Sequence, residues 1–360
     1  MFKVLVDLSK LKTPYCGLGQ FCFYLGQELS NEHSSEIKYN FLIPPQRGLE
    51  LQFNYVDFSF INIFKRYFPF INQQYNLWHS VHQLSPYFPR NRKTPYLLTI
   101  HDLNFLYEKN SFKAKKYLYQ VQKRINRACE ITVISEFVKE EVLKNLDTQN
   151  KPIHVIYNGV EIGNELISNP IYTKFIPKAK FLFTIGVVKP KKNFKTLIGL
   201  ISLLPDYDLV IAGNYSRAYI KEIKNEAEKY GVMDQLILPG KINHNTKVWY
   251  YRNCEAFVFP SLFEGFGMPV IEAMRFGKPV FLSNLTSLPE IGGKEAYYWE
   301  NFEPEYMHQV FLKSMDDFKN DIGKAQRIIE HSKKFLWENI AKQYIKVYQN
   351  IIEANQNTSK

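Results

Sequence analysis

The sequence predicts an α/β protein made of two doubly wound domains. Short apolar runs alternate with helical stretches along most of the 360 residues, a pattern typical of parallel sheets covered by helices. The alternation loosens between Val160 and Lys180 and then resumes. A chain of this length is long for one core and suits two. We therefore expect two Rossmann-like domains that face each other across a cleft.

The first half contains the apolar runs of one such domain. Predicted strands are Val4–Val6, Tyr39–Ile43, Tyr96–Ile100, Ile131–Ser135 and Ile153–Tyr157. Predicted helices are Phe21–Leu29, Phe112–Ala128 and Glu136–Leu146. Ser135 is a suitable N-cap for the third helix.

The second half repeats the pattern. Predicted strands are Phe181–Val187, Leu209–Ala212, Leu236–Leu238, Ala256–Phe259 and Val280–Leu282. Predicted helices are Tyr219–Tyr230, Asn245–Asn253 and terminal helices within Phe318–Glu353. We expect domains at residues 1–165 and 166–335, with 336–360 as a C-terminal helix that crosses back to the first domain.

Charge and cysteine content limit the classes of partner and compartment. The formal charge is +11, from 46 basic and 35 acidic residues, which favours anionic partners. No zinc-finger, RRM or basic-zipper signature supports a nucleic-acid partner.

Four scattered cysteines without a CxxC pair argue against a disulfide framework or structural zinc. The N-terminus shows no secretory signal, and no apolar run reaches the roughly 20 residues of a membrane span. We expect a cytoplasmic protein.

The stretch Phe263–Met274 carries two glutamates around a glycine-rich turn and a proline. The proline suits the first turn of a helix, which places Glu264 on the loop and Glu272 one turn into the helix. The free amides between them, from Phe266 to Met268, can hold a diphosphate. A carboxylate on each side can bind hydroxyl groups. This pattern predicts a nucleotide-sugar site.

Three further loops follow predicted strands. Cys16–Gln20 contains Gly17 and Gly19 and predicts a glycine turn beside a phosphate or acceptor group, although a purely structural turn is as compatible. His101, followed by Asp102, ends a strand and can reach a cleft; a structural histidine is the alternative. Gly186–Asn193 carries three lysines that could neutralise a departing diphosphate, or form a solvated basic turn.

Two other patterns receive weaker interpretations. Asp206-Tyr207-Asp208 resembles a metal-binding DxD, but it precedes a strand, so we expect an exposed carboxylate pair in a turn and no metal. Phe58–Phe70 and Lys113–Arg127 combine aromatic and basic residues, which favours an anionic membrane surface. The alternative is that the aromatic rings belong to the core and the lysines to a hydrated helix face.

Several of these motifs together resemble the retaining glycosyltransferases of family 4, which have the GT-B fold. The matching segments are EGFGMPVIEAM, GVVKPKKN, IHDLNFL, TVISEF and VIYNGVE, and they run through nearly the whole chain. SNLTSLPEIGG is similar to the branch that builds bacterial surface polysaccharides, often with mannose.

The resemblance implies a role for individual residues. Glu264 would bind hydroxyls of the donor sugar and Glu272 the ribose. Lys192 would stabilise the leaving diphosphate, and His101 would lie near the transferred sugar. The remaining donor-binding positions are Gly17, Gly19, Lys191, Asn193, Phe266, Gly267 and Met268. Many relatives have arginine where this chain has Val187, so Lys191 is expected to supply the second positive charge; Gln20 likewise replaces a frequent arginine.

The resemblance also implies the reaction. A hexose, with mannose from GDP-mannose as the expected case, would pass with retention to a glycan or lipid-linked glycan of a surface polysaccharide such as O-antigen or capsule. We expect front-face attack without a metal or other cofactor, because no separate carboxylate nucleophile is evident at the strand ends. Contact with the inner face of the cell membrane stays open beside the alternative of a hydrated helix face. Three alternatives stay open: a nucleotide-sugar epimerase, a glycogen-type phosphorylase, for which the chain is short, and a non-catalytic basic binding protein.

Overall fold

The computed structural model describes residues 1–13, 16–32, 36–45, 53–62, 75–160 and 175–357. The chain divides into two compact units: unit 1 is Met1–Glu161 with Phe335–Lys360, and unit 2 is Ile162–Lys334. Each unit is a parallel sheet covered by helices, so the predicted α/β architecture is confirmed.

Unit 1 is built on a parallel sheet with the order β3-β2-β1-β4-β5-β6-β7. Its strands are β1 (Phe2–Asp7), β2 (Ile37–Ile43), β3 (Asp57–Phe60), β4 (Leu77–Ser80), β5 (Tyr96–Ile100), β6 (Glu130–Val133) and β7 (Ile153–Val155). Its first helices are α1 (Gly17–Asn31), α2 (Phe105–Glu108), α3 (Ser111–Arg127) and α4 (Glu136–Asn145). Ser135 caps α4 as predicted, since its side chain accepts from Val138 N. The strand order reverses between β1 and β4, which is a topological switch point.

Unit 2 repeats the design with the order β10-β9-β8-β11-β12-β13. Its strands are β8 (Lys180–Ile185), β9 (Tyr207–Ala212), β10 (Leu236–Gly240), β11 (Ala256–Phe259), β12 (Val280–Ser283) and β13 (Tyr297–Trp299). Its helices are α5 (Thr196–Ser202), α6 (Arg217–Lys229), α7 (His244–Asn253), α8 (Met268–Met274), α9 (Leu288–Gly292), α10 (Pro304–Asn320) and α11 (Lys324–Ser332). Here the order reverses between β8 and β11, so ligands are expected outside the carboxyl ends of these two strands.

The last helix, α12 (Trp337–Asn357), belongs to unit 1. The rings of Phe21 and Trp337 meet edge to face with centroids 5.3 Å apart. Tyr348 Oη lies 2.7 Å from Nδ1 of the buried His79. Aromatic packing and this buried hydrogen bond together fix the helix on the unit 1 sheet.

Three short strands, β3, β4 and β13, escaped the prediction. β4 is the clearest case, because half of its four residues are polar, His79 and Ser80, and yet all four are buried. His79 Nε2 lies 2.7 Å from Thr99 Oγ1, and Ser80 Oγ donates to Tyr87 O at 2.8 Å. Residues distant in sequence therefore form hydrogen bonds with these polar groups. The local sequence pattern alone indicates that such polar residues are unfavourable in a buried strand.

Two local interpretations are wrong. Gly17 and Gly19 lie in the first turn of α1 and not in a separate glycine turn, because Cys16 Sγ accepts from Gly19 N and caps the helix there. Asp208 is not exposed: it lies within β9, keeps 8% of its accessible surface, and accepts from Lys178 N at 2.8 Å.

The predicted aromatic segment begins at Phe58 and includes residues 63–70, which lie outside the described ranges. Residues 161–174 of the stretch in which the alternation loosens also lie outside them.

Within the described ranges, no helix combines the length and apolar character needed to cross a bilayer.

Candidate functional site

Lys192 and Glu264 meet at the switch point of unit 2. Lys192 ends a short 3-10 turn, Pro190–Lys192, in the loop after β8, and Glu264 lies in the loop after β11. Their side chains form an ion pair, and Lys192 Nζ also lies 4.8 Å from the centroid of the Phe259 ring. The side chains are only 11% and 13% exposed. The carboxyl edge of this sheet thus holds a nearly buried cation and anion in contact.

Ser261 and Lys191 connect the same two loops. Ser261 Oγ donates to Glu264 Oε1 at 2.6 Å, and Leu262 N donates to Lys191 O at 2.8 Å. Asn193 ends the 3-10 turn with a φ of 56°, a left-handed conformation that asparagine tolerates better than most residues. Lys191 and Asn193 therefore contribute backbone geometry that sets the position of Lys192.

Gly213, which directly follows β9, allows a close approach between its own backbone and the lysine loop, residues Gly186–Asn193. Its φ is +128°, and a Cβ at this position would lie 1.7 Å from the carbonyl oxygen of Gly186. Only glycine fits such an approach. A Cβ at Gly186 would in turn lie 3.4 Å from Lys192 Cε. Sequence reasoning missed Gly213; its position directly after a buried strand was the available signal.

The hydroxyl group of Ser287 holds the predicted phosphate loop. Ser287 Oγ donates to the carbonyl oxygens of Glu264 at 3.0 Å and Phe266 at 2.9 Å. Gly267 precedes α8 with a φ of 111°, and Met268 is the first residue of that helix. A Cβ at Gly267 would lie 2.8 Å from Leu288 Cδ2, so packing as well as backbone conformation requires glycine here.

Glu272 lies in α8 as predicted, but its partners come from α7. Lys247 Nζ contacts Oε1 at 2.7 Å and Tyr251 Oη donates to Oε2 at 2.8 Å. Burial, and then the charge of Glu272, raise the pKa of Tyr251 well above its usual range, so the phenol remains a donor. Lys247 and Tyr251 were missed, although their spacing of four on a predicted helix places them on one face.

His101 follows β5 in unit 1 and is only 6% exposed. Its Nε2 lies 2.8 Å from the carbonyl oxygen of Val81. Burial lowers the pKa of His101 to about 4, against a smaller opposing effect of this hydrogen bond. The imidazole is therefore neutral at pH 7. Gly17 and Gly19 begin α1 of the same unit; a Cβ at Gly17 would contact nothing within 4 Å.

The part of the chain that the structure describes contains no cluster of three histidine, cysteine or acidic side chains that could hold a metal ion.

Among the predicted residues of unit 2, Lys192, Lys191 and Glu264 come together, whereas side chains of α7 bind the Glu272 carboxylate.

Two parallel-sheet α/β units of this order define a GT-B fold. Solved structures with the same architecture include sucrose-phosphate synthase from Thermosynechococcus elongatus, with a TM-score of 0.73 and 17% identity over 98% of this chain and 100% of that one. Anabaena HepE in complex with UDP and glucose gives a TM-score of 0.73 and 14% identity over 97% and 100% of the two chains.

Family models cover both units. The model described as Glycosyltransferase Family 4 matches residues 24–163, and the model described as Glycosyl transferases group 1 matches residues 172–335. The chain therefore belongs to the glycosyltransferases that these two models describe together, and its fold is GT-B.

Several similar proteins are named as bacterial mannosyltransferases. The serotype-specific mannosyltransferase WbdA of Escherichia coli is 31% identical over 247 residues, covering 64% of this chain and 30% of WbdA. The O-antigen chain mannosyltransferase B of Escherichia coli is 25% identical over 70% of this chain and 69% of its own length. This chain therefore spans less than a third of the first of these relatives.

Proposed function

We propose that the chain transfers a hexose, with retention, from a nucleoside-diphosphate sugar to a hydroxyl group of a glycan or lipid-linked glycan. Surface polysaccharide of the O-antigen or capsule type is the proposed product. Mannose is the proposed sugar, and GDP-mannose the proposed donor, because the relatives named above are mannosyltransferases.

The ion pair of Lys192 and Glu264 carries this proposal. A cation that is nearly buried can neutralise the charge that develops on a leaving diphosphate, and it is more effective in a dry site than in water. Glu264 remains oriented by Ser261 Oγ when Lys192 turns to the diphosphate, and its carboxylate can then accept from sugar hydroxyls. The leaving phosphate takes the acceptor proton. The proposal requires no metal ion, because Lys192 supplies the positive charge.

A panel of GDP- and UDP-sugars tests the donor. We expect GDP-mannose to raise the melting temperature most and to yield a mannosylated product with an acceptor. Conversion of the sugar nucleotide without an acceptor would identify an epimerase. A melting temperature that no sugar nucleotide changes would favour a non-catalytic binding protein and contradict the proposal.

We also propose that helix α3 contacts an anionic membrane surface, such as the inner face of a cell membrane. Phe112 and Tyr119 are 78% and 66% exposed, and Lys116 and Lys123 are exposed as well. Spacings of four, seven and eleven residues place all four on one helical face. Interfacial helices combine aromatic and basic side chains in this way.

Vesicle sedimentation tests the membrane contact. Binding to vesicles that contain phosphatidylglycerol should be stronger than to neutral vesicles, and Phe112→Ser with Tyr119→Ser should weaken it. Tyr230→Ser, which removes an aromatic ring 38% exposed in unit 2, is the matched control. Equal vesicle binding by the variant with Phe112→Ser and Tyr119→Ser and by the Tyr230→Ser control would contradict this contact.

A further inference from the structure

We infer that His82 is a second ligand-binding imidazole of unit 1, and that the segment Val81–Leu84 positions both His82 and His101 to bind neighbouring hydroxyl groups of a sugar. The inference rests on the proposed function, since it identifies the part of unit 1 that receives a sugar.

The segment lies where open parallel sheets bind ligands. It follows β4, one of the two strands at the switch point of unit 1, and β5 with His101 pairs directly with β4. The other strand of the switch point, β1, leads into the turn that carries Lys10. Crevices outside the carboxyl ends of such strands are general ligand sites.

The hydrogen bond to Val81 determines which nitrogen of His101 is free. A carbonyl oxygen only accepts, so Nε2, at 2.8 Å from Val81 O, must carry the proton of the neutral ring. Nδ1 then has a lone pair, and no described residue donates a hydrogen bond to it. His101 therefore offers an acceptor.

Gln83 fixes the backbone on both sides of this ring. Its Oε1 accepts from His101 N at 3.1 Å, and its Nε2 donates to Asp102 O at 2.7 Å. The Gln83 side chain is 3% exposed. It therefore acts as a positioning residue, because both hydrogen bonds hold the peptide that carries His101.

His82 has the complementary character. Leu84 N lies 3.1 Å from His82 Nδ1, and an amide only donates, so Nδ1 is the acceptor. Burial, followed by the charge of Lys10 and the neighbouring His101 ring, holds the pKa of His82 well below its usual range. The neutral ring carries its proton on Nε2, to which no described residue is bonded. The His82 and His101 rings lie 6.4 Å apart between centroids.

One acceptor and one donor on adjacent neutral rings suit a polyhydroxylated ligand. A hydroxyl group can donate to His101 Nδ1 while its neighbour accepts from His82 Nε2–H. Neutral rings attract neither phosphate nor an ammonium group by charge. The pair would therefore select the hydroxyl pattern of a sugar.

Nitrogen-15 NMR of histidine-labelled protein without ligand tests the tautomers independently of any activity. We expect both rings to be neutral at pH 7 with the proton on Nε2, and signals to be assigned by their loss in His82→Phe and His101→Phe. A charged His82 ring, or a proton on its Nδ1, would overturn the inference whatever the protein transfers.

Ligand addition tests the binding role. GDP-mannose or methyl α-mannoside should shift the His82 Nε2 signal, and His82→Phe should reduce kcat/KM by about tenfold. His82→Gln, whose amide can replace the Nε2–H donor, should restore most of it, while Gln83→Ala should lower kcat through a misplaced His101. An unshifted signal with both ligands, or full activity of His82→Phe, would overturn the inference. Absence of transfer by the unaltered protein, with the His82 signal shifted, would instead contradict the proposed function.

Discussion

The ammonium group of Lys192 forms an ion pair with the carboxylate of Glu264, although 72 positions separate them in the sequence. Both side chains are nearly buried, so neither charge is fully solvated when the other is removed. A pair of this kind is retained at a cost in desolvation. The pair lies in the loops after β8 and β11, where we propose that it binds the diphosphate of the donor.

Lys192→Met should lower kcat by about 10²–10³-fold, the usual effect of removing one group that stabilises developing negative charge. The measurement is steady-state transfer from the donor that the thermal-shift panel selects. Lys224→Met, at an exposed position of α6, is the control and should retain activity. Near-normal turnover in Lys192→Met would remove Lys192 from the mechanism.

The same variant should also destabilise unit 2, by about 3 kcal/mol, because Glu264 is left unpaired and poorly solvated. Adding Glu264→Gln should recover most of that stability without recovering turnover. Urea unfolding followed by hydrogen exchange of unit 2 peptides measures the stability of both variants, and the transfer assay measures their turnover. Equal stability of the single and double variants would show that the pair is effectively solvated.

Gly213→Ala should weaken both stability and activity. The new Cβ would collide with the carbonyl oxygen of Gly186 and displace the loop that carries Lys192. Gly231→Ala is the matched control: its φ is also positive, at +69°, but a Cβ there would meet nothing within 4 Å. The control should lose only about 1 kcal/mol of backbone strain and keep its turnover. Equal losses in kcat would exclude a specific effect on the lysine loop.

Glu272→Gln distinguishes nucleotide binding from structural support. If Glu272 binds the ribose, KM for the donor should rise about tenfold or less, as for the loss of one charged hydrogen bond, with kcat little changed. Tyr251→Phe removes the neighbouring hydroxyl that donates to the same carboxylate and serves as the comparison. A fall in melting temperature with unchanged KM in Glu272→Gln would assign Glu272 to the support of α7 instead.

His79 should make unit 1 less stable as the pH falls. Burial, with a smaller contribution from His101, lowers the pKa of His79 from 6.5 to about 3. Above pH 6.5 the folded and unfolded states are both neutral, and this part of the stability is fully present. Below it the unfolded chain binds a proton that the folded chain does not, which costs about 1.4 kcal/mol per pH unit.

Hydrogen exchange of the β4 and α12 peptides at pH 5 and pH 7, corrected for intrinsic rates, measures this dependence. His79→Gln should show a shallower decrease between the two values, since it removes one titrating group and leaves His82 and His101 in place. An identical decrease in both proteins would contradict the assigned pKa of His79.

The sequence alone determined the features that depend on local pattern. Alternating apolar runs predicted two doubly wound domains, since a buried parallel strand and an amphipathic helix each leave a periodic trace within a few residues. Ser135 as an N-cap and Glu272 within a helix followed from equally local rules. Lys192 and Glu264 could each be placed in a loop after a strand.

Only the tertiary structure decided which of these groups meet. The strand order sets β8 beside β11, which brings Lys192 to Glu264, and the packing of α7 gives Glu272 its partners. β4 and Asp208 escaped local reasoning for the same reason: their polar groups are buried because residues distant in sequence satisfy them. Hydrogen bonds and ion pairs act over a few ångströms in space, and sequence separation alone does not reveal them.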